Sequence, residues 1–194
     1  MLTRHLLWKR LNGKKAHAGI EPEKGINAIV VASDAISNMH IGRIDELTTS
    51  NIGRIEGGGA TNIVTDSVTF TAEIRSHIDD KLQAEIAHME NCCREAAQKF
   101  KAEYEFIHEN CYPPFSLDLD SDLYKLTEKA MLKEGITPEP IVIGGGSDAN
   151  ILAALGYKSA ILSIGMYEPH AVTEYLKIDE MWDTLKVVRN MMDI

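Results

Sequence analysis

Val68-Thr69-Phe70-Thr71-Ala72-Glu73-Ile74-Arg75 places each apolar residue two positions from the next, with a polar side chain between. Successive side chains of an extended strand point to opposite faces, so this is a strand with one covered and one wetted face, the habit of an antiparallel sheet. Leu82, Ile86, Met89, Cys93, Ala97 and Phe100 follow at helical spacing and make an amphipathic helix to cover that face. Tyr104, Phe106 and His108 share one side of a further strand, which closes at Cys111-Tyr112-Pro113-Pro114. Upstream, Trp8 to Lys15 reads as a strand entering the small-residue loop Ala16-His17-Ala18-Gly19. Pro22 suits the first turn of a helix over residues 21–41, with Ile26, Ile29, Val30, Ile36 and Met39 on one stripe. Thr48 to Ile55 and the turn Glu56-Gly57-Gly58-Gly59 complete the order β-α-β-β-α-β. Residues 1–113 are thus predicted to form a two-layer α+β sandwich.

The paired prolines end the last strand and stiffen the passage to a second unit, residues 114–194. There Ser121 caps a helix carrying Leu123, Leu126, Ala130 and Met131, and Asp179 starts a final helix with Met181, Leu185, Val188 and Met192 on one face. Between them lie Ile141-Val142-Ile143, the turn Gly144-Gly145-Gly146, a helix capped by Ser147, and Ala160-Ile161-Leu162-Ser163-Ile164. The two apolar runs predict a partial parallel sheet with helices, giving an α/β chain overall. With so few strands the sheet has bare edges, and this unit is expected to be the less stable. A strand-turn-helix aims backbone N–H groups and the positive helix end at one point, where a carboxylate, phosphate or developing oxyanion fits.

Lys and Arg number 20 against 29 Asp and Glu, a net charge of -9, and no basic cluster could follow a phosphate backbone. Nucleic acid is excluded as a partner on that ground. The three cysteines, Cys92, Cys93 and Cys111, have no C-x-x-C spacing, which fits inert thiols in a reducing compartment. Arg4, Lys9 and Arg10 interrupt the opening residues too early for a signal sequence, and no apolar run approaches membrane length. The expectation is a cytoplasmic protein with no membrane contact.

Several stretches together carry a resemblance: Gly13 to Ala28 around His17 and Pro22, Gly57-Gly58-Gly59-Ala60-Thr61-Asn62, Glu73-Ile74-Arg75, Gly144-Gly145-Gly146-Ser147-Asp148-Ala149-Asn150, and His170 with Glu174. In order and spacing the chain resembles the dinuclear zinc peptidases that include peptidase T, carboxypeptidase G-type enzymes and the acetylornithine and succinyl-diaminopimelate deacylases. The Gly-Gly-Gly-Ser-Asp-Ala-Asn form is closest to the peptidase T-like branch. The resemblance implies a lid, or dimerisation, domain over residues 1–113 and the last portion of a catalytic domain over 114–194. It implies that His17 reaches from one subunit of a homodimer into the active site of the other and stabilises an oxyanion. Arg75 and Asn62 bind substrate, as do the N–H groups of Gly145, Gly146 and Ser147. His170 is a zinc ligand, and short peptides are the substrates. Glu174 and Asp148 orient the site.

In that family two zinc ions are held by an early His-x-Asp histidine, a bridging aspartate, further carboxylates and a late histidine, and the general base lies in a Glu-Glu pair. Only the late histidine has a counterpart here, His170. The chain has no Glu-Glu pair, and its one His-x-Asp, His77-Ile78-Asp79, lies inside the lid. The expectation is a C-terminal fragment of a zinc peptidase, inactive alone, with a separate N-terminal catalytic chain as a possible partner. Two alternatives stand beside it. One is a non-catalytic dimerisation module or gene remnant. The other is a nucleotide-binding module, since Gly144-x-Gly146-x-x-Ala149 between strand and helix, with Glu168 downstream, satisfies the dinucleotide pattern. His5, His40, His88 and His108 are read as solvent-facing or packing residues.

Overall fold

In the computed structural model, which describes residues 2–192, the chain separates into two compact units, Met1–Pro114 and Phe115–Ile194. The first is a five-stranded sheet in the order β2-β3-β4-β1-β5, antiparallel at every pairing, with two helices against one face. Its strands are β1 (Thr3–Asn12), β2 (Gly42–Asp45), β3 (Thr48–Gly57), β4 (Ser67–Ser76) and β5 (Glu103–Tyr112). Its helices are α1 (Ala28–Ser37) and α2 (Asp79–Phe100). The alternation in β4 does what its spacing demands: Val68, Phe70, Ala72 and Ile74 are buried against the helices. Leu7 and Leu11 of β1 and Leu82, Ile86, Met89 and Cys93 of α2 fill the same core. Each large apolar side chain removed from water here contributes roughly 1.5–3 kcal/mol.

Three details depart from the sequence expectation. Strand β1 begins at Thr3 rather than Trp8, because Thr3 pairs with β4 and residues 4–7 find partners in both β4 and β5. The first helix begins at Ala28, not residue 21. Pro22–Lys24 form one 3-10 turn, after which Ile26 pairs with Lys14 through two backbone hydrogen bonds of 2.9 Å, and Asn27 caps the helix by accepting from the Ile29 N–H. The ladder to residue 14 outweighs the helical stripe. Third, α1 ends at Ser37 where the stripe predicts helix to residue 41, and Gly42–Asp45 then add an edge strand that the sequence reading does not contain.

Lys9 occupies a core position of β1 and is 1% exposed. Its cross-strand partners are Phe70 and Phe106, and Nζ lies 5.1 and 5.4 Å from their ring centres. Nζ also donates to Met89 Sδ at 3.3 Å, and among the described residues no carboxylate forms an ion pair with it. Burial lowers its pKa from 10.5 to about 8, against the attraction of Cys93, Cys92 and Glu85.

The second unit holds α3 (Asp122–Lys133), α4 (Asp148–Ala154), the two-residue hairpin strands β6 (Met166–Tyr167) and β7 (Tyr175–Leu176), and α5 (Ile178–Met192). Ser121 and Ser147 cap α3 and α4, accepting from the N–H groups of Tyr124 and Ala149. α3 packs on α5, burying Thr127, Ala130, Val187 and Asn190. The expected parallel strands do not form. Residues 141–143 and 160–164 lie outside any ladder, with Ile141 and Val142 each 76% exposed. An apolar run becomes a strand only where a neighbouring strand takes its N–H and C=O groups, and among the described residues none lies beside these; the Ser163 carbonyl accepts instead from the Thr184 hydroxyl at 2.7 Å. This correction also removes the strand that the dinucleotide reading needs before Gly144. No helix among the described residues is long and apolar enough to cross a membrane.

The buried lysine makes stability depend on pH. Because folded Lys9 sheds its proton near pH 8 and the unfolded chain does so near 10.5, the unfolded state binds more protons across that interval, and stability must rise with pH through it. The penalty at neutral pH is about 3 kcal/mol. Lys9→Met should recover most of it and flatten the rise, as read by urea unfolding of a Trp182→Phe background that leaves Trp8 as reporter; an unchanged pH profile would refute the buried charge. In hydrogen exchange, amides of residues 141–143 and 160–164 should exchange orders of magnitude faster than those of residues 67–76, and equal protection would contradict the missing ladder.

Candidate functional site

At one end of the first unit, the loop leaving β1 is stitched to the segment entering β4. Gly13 N–H donates to the Asp66 carbonyl at 2.8 Å, Val64 N–H to Ala16 at 3.0 Å, and Ala18 N–H to Asn62 at 2.9 Å. Gly13 has no alternative here, since a Cβ would stand 2.0 Å from the Ile26 carbonyl oxygen. These bonds bring His17 and Asn62 together, with a bridge from His17 to Ile63. Both side chains are exposed. Gly19 N–H donates to His17 Nδ1 at 3.1 Å, so the neutral ring carries its proton on Nε2. The two bonded segments thus carry an exposed imidazole and an exposed primary amide, donors of the kind that suit a carboxylate or an oxyanion.

Arg75 stands at the other end of β4. Its Nε and Nη2 both donate to Glu73 Oε1 at 2.9 Å, and Arg4 Nη2 lies 2.8 Å from Glu73 Oε2. One carboxylate is thus gripped by two guanidinium groups, an arrangement that sequence alternation alone does not show because Arg4 comes from a different strand. Tyr112 lies in the same neighbourhood, and burial raises its pKa despite the attraction of Arg75 and Arg4. Eight residues of extended chain separate Arg75 from Ser67, roughly 26 Å at about 3.3 Å each. His17 and Asn62 on one side and Arg75 on the other do not converge within one chain.

In the second unit the triple-glycine turn is exposed ahead of α4. Ser147 N–H donates to Asn150 Oδ1 at 3.1 Å, completing a capping box, so its N–H serves the helix rather than an outside ligand. Gly145 and Gly146 keep their N–H groups on the exposed turn. His170 sits in the loop of the β6–β7 hairpin at φ 68, and Glu168 at φ 54. Both are conformations that side chains rarely adopt, and the loop is braced by His170 N–H donating to Glu174 Oε2 at 2.6 Å and Thr173 donating to Glu168. Glu174 therefore holds the His170 backbone. The hairpin is invisible to periodicity because two-residue strands have none.

Zinc in a catalytic site takes about three protein ligands. Around His170 the described residues supply no such set. One group of three metal-ligating side chains does occur among them, His40, Glu85 and His88, and it lies in the first unit.

Comparison with known proteins gives these features a context. The model of the peptidase dimerisation domain of M20 matches residues 7–101. The chain is 44% identical over 176 residues to the Bacillus subtilis protein YqjE, covering 91% of this chain and 47% of that one. Aminopeptidase PepT from Bacillus cereus superposes with a TM-score of 0.81 at 37% identity, over 99% of this chain and 52% of that one. A Staphylococcus aureus tripeptidase superposes with a TM-score of 0.86 at 34% identity, over 98% and 51%. The chain spans about half the length of the relatives it matches.

The ring geometry at His17 is open to measurement. Long-range nitrogen–proton correlation spectra should show His17 as the Nε2–H tautomer once the ring is neutral, and Gly19→Pro, which removes the donor to Nδ1, should populate the Nδ1–H form. A wild-type ring protonated mainly on Nδ1 would contradict the assignment.

Proposed function

Residues 7–101 belong to the dimerisation-domain family of the M20 peptidases, and on that premise we propose that this chain supplies the dimer-forming lid and a C-terminal part of the active-site wall of a metal-dependent peptidase acting on short peptides. The observation that carries the reading is the His17–Asn62 pair, an Nε2–H donor and an amide held by backbone bonds at the end of a lid. Delivered to the active site of a second subunit, that pair stabilises the oxyanion formed when water adds to the scissile carbonyl. Arg75 takes a substrate carboxylate in exchange for Glu73, which its Nε and Nη2 hold in this structure. Because it sits roughly 26 Å from the start of β4, it serves a different active site from the His17 of its own chain. The exposed N–H groups of Gly145 and Gly146 bind the peptide backbone or its carboxylate. The likeness to a tripeptidase and to aminopeptidase PepT favours short peptides cut near the amino end. Three free thiols favour the cytoplasm as its compartment.

A zinc pair does not fit the residues present. His170 contributes one ligand, its neighbour Glu174 is engaged with backbone, and the described residues offer no bridging carboxylate beside them. The same shortage favours a second reading, a dimerisation module without chemistry of its own.

The purified chain with added zinc should form a dimer in sedimentation and leave a tripeptide uncut. Co-expression with the half of Bacillus cereus aminopeptidase PepT that it does not match should restore hydrolysis. In that complex His17→Ala should lower kcat by about 10²–10³ and leave the dimer intact. Hydrolysis by the chain alone, abolished in His170→Ala, would overturn its dependence on a partner. Failure of any complement to restore activity would favour the module.

A further inference from the structure

We propose that His40, Glu85 and His88 form a binding site for one divalent transition-metal ion, of which zinc is the natural candidate, at the junction of the α1–β2 loop and α2.

The topology builds the site from two directions. Glu85 and His88 are three residues apart on α2, so their side chains share one helix face. His40 arrives from the loop after α1, where its carbonyl accepts from the Ser50 hydroxyl and its neighbour Met39 is buried. That loop cannot drift from the helix without opening the core. One potential ligand atom from each of the three residues lies within 4.8 Å of the other two, and His40 Nδ1 is 3.1 Å from Glu85 Oε2.

Two further observations point to a cation. Glu85 is 6% exposed, and its Oε1 is buried with no hydrogen-bond partner among the described residues. A buried carboxylate oxygen left bare costs on the order of 1–3 kcal/mol, more when charged. A His40–Glu85 ion pair satisfies only Oε2 and leaves that oxygen as it is. Second, the rings of His40 and His88 stack face to face at 4.0 Å between centres and 16° between planes. The stack holds both rings against Glu85, with one nitrogen of each within 4.8 Å of its carboxylate. A divalent ion answers both conditions at once, since it neutralises the carboxylate and binds the ring nitrogens.

The donor set selects the metal class. Two imidazole nitrogens and one carboxylate oxygen suit zinc and its first-row neighbours, while calcium and magnesium prefer oxygen alone. His88 Nε2 lies 3.2 Å from the Asn38 carbonyl, the kind of outer acceptor that holds a ligating ring in orientation. Cys92 donates to the same carbonyl at 3.4 Å, and its sulfur lies 3.7 Å from His88 Nε2, beside the site. The exposed side of His40 leaves a fourth position to water. Bound metal would clamp the α1–β2 loop to α2 and stabilise the unit by linkage.

The test is zinc titration calorimetry on the full chain, with cobalt absorption as a second probe. One ion should bind per chain, with a visible tetrahedral cobalt spectrum, and zinc should raise the unfolding temperature relative to chelator. His40→Ala, Glu85→Gln and His88→Ala should each weaken binding by about 10- to 100-fold or more and erase the thermal shift. His170→Ala should retain both, which separates this site from the peptidase ligand. Substitution at exposed His40 and the isosteric Glu85→Gln leave the fold intact, so these two variants decide the outcome. Zinc affinity unchanged in both, or loss confined to His170→Ala, would overturn the proposal.

Discussion

The ten-residue pairing of β1 with β4 fixes everything else in the first unit. Its register is held because a slip by one residue would turn Val68, Phe70, Ala72 and Ile74 out to water together. With the register locked, the two ends of β4 become fixed points. One end is tied through residues 62–66 to the loop that carries His17, and the other carries Arg75 with Glu73 and Arg4. The functional polarity of the lid is a consequence of strand length, since ten residues of extended chain set the separation and no loop motion can cancel it.

A charge in the core runs through the same pairing. Lys9 stands where alternation asks for an apolar side chain, between Phe70 and Phe106 on the flanking strands. The ring faces offset part of the cost of burying an ammonium, and the fields of Cys93, Cys92 and Glu85 also oppose it. Glu85 in turn is surrounded by a lysine that does not bond to it and a histidine that takes one oxygen. The lid core therefore contains two polar groups that stabilise one another only through space. Apolar side chains at both positions would serve stability better, and that is the physical reason to look for a binding role around Glu85.

How far the sequence discloses the fold depends on which interactions are local. Strand β4 and helix α2 announce themselves by period, and Ser121 and Ser147 by capping chemistry, because each depends on residues within a turn or two. Periodicity misplaces the start of α1 because Ile26 answers to Lys14, twelve positions away. Residues 141–143 and 160–164 have the composition of strands, but a strand is a relation between segments and these have no counterpart. His17 and Asn62 are recognisable by motif, while their adjacency rests on bonds across more than forty residues of chain. His40 and His88 look like ordinary surface or packing histidines in the sequence, since 48 residues separate them and only the crossing of loop and helix stacks their rings.

The separation along β4 also bears on how such a lid can work. In the proposed function a donor for the oxyanion and a fork for the substrate carboxylate act on one short peptide, yet β4 alone puts roughly 26 Å between Arg75 and the strand end tied to the His17 loop. Closing that distance by deformation would break the ladder that holds the core. On the reading proposed above, symmetry is the remaining solution: a two-fold pairing of lids would bring the His17 end of one copy to the Arg75 end of the other, and would do so twice. If the proposed roles hold, the dimer is part of the active site, and a variant of the complemented enzyme that keeps every side chain in place but prevents lid pairing loses activity as His17→Ala does.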